Sequence, residues 1–383
     1  MKHFYGRNHS ILLVLLFLAI LKSYSESKPD TLTNELRQKI LNTFKHFSIG
    51  FYVDTYYNIM LDNKHDTSNL IPYSSNCPFK SAIRLNHAAI EMAYNADLVR
   101  GNLALQWGDS PNLLATPDVQ FIKNIKKAYC GVRITKGLWI DIGYMASPPG
   151  WESSWAVMNQ ITTTTIDGYF EPGNILGAKL SYTFNEKLNG GMLIGNQYSL
   201  AYGKNTHMTG LIFLNYSPLK NLTLSYANFF GNQALKNDAI KNNILFNNFI
   251  VTYNPISHIS LVGQLDIAGQ TNSQMPPDTN KIAWLFGGFL QAGYLFNEHF
   301  DLYARYEYFN DPDGFASGLY TYDGKTTGLL THGISGSFEY RPVKFGYIRI
   351  IYRYYHANPG NNIFYSGKSD KINILTISTG VRF

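Results

Sequence analysis

Charge is scarce in this sequence: Asp, Glu, Lys and Arg make up 15% of its 383 residues, where soluble domains carry about 25%. The 32 basic residues outnumber the 26 acidic ones but are dispersed, with no Lys/Arg run, so nothing points to a nucleic-acid partner. There are only two cysteines, Cys77 and Cys130; the strand pattern below puts them near opposite ends of one wall, too far apart for a disulfide. Beyond the first 25 residues no apolar run reaches the roughly 20 residues a membrane-crossing helix needs. Catalytic signatures are also missing: there is no G-x-S-x-G elbow, Walker loop, H-E-x-x-H or CxxC. The scattered histidines have no helix-type ligand spacing, so neither metal nor cofactor is expected.

What is abundant is aromatic and small. Tyr (28) and Phe (24) dominate an aromatic content of 15%, and Gly is 32. Mean hydropathy is nevertheless −0.16. Such a chain fits strands that alternate lipid-facing and lumen-facing residues; a soluble secreted β-sandwich is the alternative. The chain opens with Lys2 and Arg7, then runs apolar from Ile11 to Leu21, with Ser23 and Ser25 as small residues before a cleavage point. That is the layout of a signal peptide, cut after Ser25 or Ser27, and an uncleaved anchor is the alternative. The expected organisation is a signal peptide over 1–25, a periplasmic leader over 26–46 and a barrel over 47–383.

From Phe47 the apolar period is two. Leu138, Ile140 and Ile142 oppose Asp141; Leu176, Ala178, Leu180 and Tyr182 oppose Lys179 and Ser181; Leu265 and Ile267 oppose Gln264 and Asp266. Leu302, Ala304 and Tyr306 oppose Arg305 and Glu307, and Ile348, Ile350 and Tyr352 oppose Arg349 and Arg353. Short turns rich in Asn, Gly and Pro, such as Thr135-Lys136-Gly137 and Asn297-Glu298-His299, alternate with longer polar segments near 61–80, 109–118, 146–174, 199–207, 231–242, 269–281, 310–331 and 357–370. Short periplasmic turns and long outer loops are the asymmetry of bacterial barrels. Seven turns and eight loops predict about sixteen strands: an all-β, transmembrane, antiparallel up-and-down barrel. Tyr94, Tyr182, Phe184, Tyr216, Tyr253, Tyr294, Phe296, Phe300 and Tyr340 cluster at the short turns as an aromatic girdle. The last strand ends Val381-Arg382-Phe383, with Arg382 inward and a terminal Phe like that recognised by the outer-membrane barrel-assembly machinery.

These segments resemble the β-barrel porin-2 (OmpL-like) family, found mainly in Bacteroidota. The resemblance is carried by Phe51-Tyr52-Val53-Asp54-Thr55-Tyr56-Tyr57, Arg84-Leu85-Asn86-His87, Val99 through Asp109, and Leu138 through Tyr144 leading to Gly150-Trp151-Glu152. It implies an outer-membrane barrel of channel function and supplies no catalytic residues.

A channel needs a polar wall, a constriction and charges that set selectivity. The inward parity nominates Asp141, Lys179, Asp266, Arg305, Glu307, Arg349 and Arg353 as wall, with mild anion preference; the alternative is that Arg305 and Glu307 merely pair within the wall. The longest loop, 146–174, is the third outer loop. If it folds inward, Glu152, Asp167 and Glu171 form the acidic side of an eyelet facing the arginines, and Trp151 and Trp155 a stacking surface for solutes. The alternative is a loop that only covers the mouth. The expected partners are outer-membrane lipid, the assembly machinery and small hydrophilic solutes, and a homotrimer is compatible with this reading. Two rivals remain: a non-porous structural or adhesin-type barrel plugged by 28–46 or 146–174, and a lipase or protease using Ser199 and His207, which share a predicted hairpin.

Overall fold

The computed structural model describes residues 42 and 44–383, apart from 63, 65, 67, 115–119, 197–206, 235–237, 277–278, 323 and 359–360. The proposed signal peptide, most of the leader and Ser199 lie outside the described residues. Strands β1 (Phe47–Met60), β2 (Arg84–Asn95), β3 (Val99–Trp107), β4 (Ile125–Thr135), β5 (Leu138–Ala146), β6 (Asn174–Asn185), β7 (Leu188–Gly195) and β8 (Thr209–Leu219) form one half of a closed sheet. The other half is β9 (Leu222–Asn232), β10 (Asn243–Tyr253), β11 (Ile259–Gln270), β12 (Ala283–Leu295), β13 (Phe300–Asp311), β16 (Leu329–Val343), β17 (Gly346–Ala357) and β18 (Lys371–Arg382). A small hairpin, β14 (Tyr320–Tyr322) with β15 (Lys325–Thr327), stands apart from the sheet in the loop between β13 and β16. Every barrel strand pairs with its neighbours in sequence, and β1 pairs with β18, so the sheet has no free edge. The predicted architecture, sixteen strands with seven tight turns at one end and eight longer loops at the other, is the one observed.

Closure is carried to the last residue. Phe51 N donates to Phe383 O (2.7 Å) and Phe383 N to Phe51 O (3.0 Å), and their rings stack at 5.5 Å. The alternation decides which side of each strand meets what. Leu265, Leu290, Ile334 and Ile350 point out and are exposed, while Asp266, Gln291, Ser335 and Arg349 point in and are buried. Polar groups inside and apolar groups outside invert a soluble protein, and they satisfy a wall bathed in lipid. Tyr182, Phe184, Tyr216, Tyr253, Tyr294, Phe296, Phe300 and Tyr340 are exposed at the short-turn end, as the girdle requires. Trp107, Phe230, Trp284 and Phe286 form a second exposed belt near the loop end. No described helix is long and apolar enough to cross a membrane, which says nothing against crossing by strands. Cys77 is buried and Cys130 exposed, and both are free thiols.

Candidate functional site

The third long loop, 147–173, is folded into the bore. Ser147 N donates to Gly173 O (3.0 Å), closing its neck. From there it reaches almost around the lumen. Gly150 N donates to Asn248 Oδ1 on β10 (3.2 Å), Trp151 N to Gln264 Oε1 on β11 (2.8 Å), and Val157 N to the Tyr52 hydroxyl on β1 (3.2 Å). Gln160 bridges Ser260 on β11 (2.9 Å) and Gln291 on β12 (2.6 Å), and the Thr162 hydroxyl meets that of Ser378 on β18 (2.8 Å). Local chemistry gives the loop its shape. Ser153 and Asn159 exchange reciprocal hydrogen bonds of 2.7 Å, tying off the tip around a short 3-10 turn, Ala156–Met158. Thr165 caps helix α1 (Ile166–Phe170) by accepting from Gly168 N at 3.0 Å.

Three inward arginines fasten this loop. Arg305 Nη1 donates to Glu152 Oε1 (2.7 Å) and Nη2 to Thr163 O (3.0 Å). Arg349 Nη1 donates to Ala156 O (2.8 Å) and Thr162 Oγ1 (3.1 Å), while its Nε pairs with Glu339. Arg353 Nη2 donates to Thr164 O (3.1 Å) and Nη1 to Ser74 Oγ of the first loop (3.3 Å). Glu307 accepts from Ile166 N (2.8 Å) and from the Tyr355 hydroxyl (2.9 Å). The inward orientation is as predicted, but the opposed field across an open eyelet is not what forms. Arg305, Arg349 and Arg353 are 2%, 4% and 1% exposed, covered by the loop they were expected to face at a distance. A guanidinium withdrawn from water needs acceptors, and the loop's carbonyls and Glu152 supply them to the η nitrogens.

The other loop carboxylates depart further from expectation. Asp167 and Glu171 do not face the arginines; they gather with Asp266 of β11, their oxygens within 4.8 Å of one another. Gln264 Nε2 donates to Asp266 (3.0 Å), Asp167 (3.5 Å) and Glu171. Gly287 on β12 makes room: a Cβ there would lie 1.9 Å from Asp167 Oδ1. Burial, reinforced by the neighbouring carboxylates Glu171 and Glu152, pushes Asp167 up to about 8. Burial, reinforced by Asp266 and Glu152, raises Glu171. Burial also raises Glu152, against the pull of Arg305. Three carboxylates this close could share a cation, but proton sharing relieves the same repulsion, and nothing else at the cluster points to an ion. Nor is the predicted stacking surface presented to solute. Trp155 is buried, 5.9 Å from the Tyr52 ring and 6.3 Å from that of His87, and Trp151 is half-buried.

Water reaches the opposite wall. Arg100, Asp141 and Lys179 lie in one cross-strand row, Arg100↔Gly131↔Asp141↔Lys179, over β3 to β6. Arg100 grips Asp141 through two bonds of 2.6 Å, and Lys179 Nζ lies 3.6 Å from the same carboxylate. Further along, Glu91 of β2 accepts from Lys127 (2.9 Å) and Asn102 (2.8 Å), with Arg382 at 3.8 Å. The side chains of Arg100, Lys127, Lys179 and Arg382 are 26%, 29%, 22% and 42% exposed, whereas Asp141 is fully covered. Sequence reasoning placed Asp141 and Lys179 here and read Arg382 as inward, but did not nominate Arg100, Lys127 or Glu91 as wall. The period-two pattern of 99–107 and 125–135 carried the signal for Arg100 and Lys127. At the short-turn end, a cavity of about 500 Å³ opens between the loop tip and the wall, lined among others by Met158, Glu339, Arg341, Tyr347, Arg349 and Arg382.

A closed sixteen-stranded barrel, lipid-facing outside and charged within, its bore narrowed by an inward third loop, defines an outer-membrane protein of the porin type. The chain belongs to the family described as Putative beta-barrel porin-2, OmpL-like, whose model matches residues 46–383. Comparison with curated proteins gave no match. Among solved structures, the chain is similar in fold to Salmonella typhi OmpF in complex with daunomycin (TM-score 0.60, 13% identity, covering 88% of this chain and 97% of that one). It is likewise similar to the anion-selective porin from Comamonas acidovorans (TM-score 0.56, 10% identity, 88% and 99% covered). A third is the trimer form of OmpT, an outer membrane protein of Vibrio cholerae (TM-score 0.54, 11% identity, 88% and 99% covered).

Proposed function

We propose that this barrel is a channel for passive diffusion of small hydrophilic solutes, which pass between the seated third loop and the β3–β6 wall. One observation carries the reading: inward charges beneath the loop are sealed, while Arg100, Lys127 and Lys179 on the β3–β6 wall keep about a quarter of their surface in water. A polar, wetted face beside a fixed constriction is what a selective pore requires. No cofactor and no catalytic step enter this function. Export through the N-terminal signal peptide and assembly through the terminal Phe383 belong to the same proposal. So does a homotrimer, for which the trimeric neighbour is a precedent in fold alone.

A second reading rests on a different observation. An inward apolar belt that includes Leu193, Leu211, Phe229, Phe246, Leu285 and Phe309 packs with Ile71 of the first loop, Ile166 of α1, and Ile363, Phe364 and Tyr365 of the last loop. That seal favours a barrel closed at its outer mouth, either structural or opened by loop movement. Planar-bilayer recording of refolded protein separates the two. Stable stepwise openings support the channel. Silence from protein shown to be folded and inserted, by heat-modifiable gel migration, supports the closed barrel and ends the first reading.

A further inference from the structure

We infer that the lumen holds a two-station site for small organic oxyanions, carboxylates or phosphates, and that these anions are the preferred solutes. The inference rests on the channel reading above and adds the substrate class. The first station is Arg100 with Lys179, both held on Asp141. The second is Lys127 with Arg382, both on Glu91 and both over the Trp155 ring, at 5.3 and 5.8 Å from its centroid. Four cations thus meet two carboxylates.

The depth of the charges matters more than their number. Asp141 is 0% exposed and Glu91 17%, whereas the four cations are 22–42% exposed. A solute therefore meets ammonium and guanidinium groups, with the counter-charges behind them. Asp141 lies over β4 at Gly131, where a Cβ would stand 2.2 Å from its Oδ1; the missing side chain lets the carboxylate sit beneath Arg100 instead of projecting into the passage. Register sets the spacing. Arg100 pairs across Gly131 and Lys127 pairs with Ala104, four residues along each strand, which is roughly 13 Å. Two partly neutralised stations at that separation bind an anion weakly enough to release it to the next, as conduction demands. Arg382 also lines the 500 Å³ cavity at the short-turn end, together with Lys344 and with Arg341, which pairs with Glu339 (2.8 Å), so cationic groups extend to that mouth.

The test is reversal potential across a potassium chloride gradient, then with sodium citrate replacing chloride on one side. Native protein should pass chloride over potassium by about threefold or more, and citrate should reduce the chloride current. The triple variant Arg100→Gln, Lys127→Gln, Lys179→Gln should bring the ratio to about one. If that variant does not insert, Lys127→Gln alone, which leaves Glu91 the hydrogen bond from Asn102 and the ion pair with Arg382, should lower the ratio. A conducting native channel that prefers cations, or a ratio unmoved by the substitutions, overturns this inference and leaves the channel standing. A folded, inserted native protein that does not conduct overturns the channel reading and this one with it.

Discussion

At Gly131 a hydrogen atom stands where any other residue would place a carbon 2.2 Å from Asp141 Oδ1 and 3.0 Å from Ile140 O. Gly131→Ala must therefore displace the carboxylate that holds Arg100 and Lys179. We expect a loss of about 1–3 kcal/mol, the usual scale of overpacking, seen as an earlier urea midpoint in folded, lipid-inserted protein. Glu152 is a second such point, accepting from Arg305 (2.7 Å), Thr165 N (2.8 Å) and Thr165 Oγ1 (2.6 Å). Glu152→Gln leaves the Arg305 charge 3.5 Å from Glu307 as its remaining carboxylate partner. Breaking a buried pair from one side costs roughly 3–5 kcal/mol, so the substitution should free the loop and raise open-channel noise. An unchanged noise spectrum would show that Glu152 does not hold the loop. From sequence alone, Asp141 and Glu152 had different standing. Asp141 was legible from the parity of 138–142, whereas the direct Glu152–Arg305 contact joins positions more than 150 apart in the chain and needed the fold.

The third loop, taken as an element, carries its own pH dependence. Seated, it has Asp167 raised to about 8 and Glu171 raised as well, both by burial, with Asp266, Gln264 and Asn248 facing them. Glu152, also raised, faces Arg305 and Glu307. Released into water, carboxyls return to about 4. The seated loop therefore binds more protons between about 4 and 8, so seating is strongest at the acidic end and is lost as pH rises through about 8. A spin label at Met158→Cys, with Cys130→Ser, should gain mobility over that interval; a flat response from pH 5 to 9 would refute it. The loop's length and its place as third in order were visible in the sequence. Its course was not, because backbone carbonyls of Ala156, Thr163 and Thr164 do the binding, and carbonyls are common to every residue.

For the whole molecule the governing quantity is the difference between the two faces of one sheet. Leu290 is 68% exposed on the outer face of β12, while its neighbour in sequence, Gln291, is 6% exposed and bonded to the loop. Leu290→Arg should cost about 2–4 kcal/mol near the bilayer midplane, measured by reversible unfolding from vesicles. A cost near zero would place β12 away from lipid, for example in an interface between copies. The inner face is where predicted and observed roles part. The arginines near the C-terminus were expected to line the passage, and the loop covers them. Water instead reaches β3–β6, a wall whose Gly143 and Gly177 stand side by side in register with Gly195 of β7.

Period-two alternation, turn chemistry and loop lengths were enough to determine the barrel, its strand number and the apolar face of its clearest strands. These are local or periodic properties, and each strand needs only its own residues to express them. Which inward charges meet water was decided by tertiary structure alone. That depends on where one long loop lies across strands as distant in sequence as β1 and β18, and a closed bore brings such positions together without leaving a trace in any single segment.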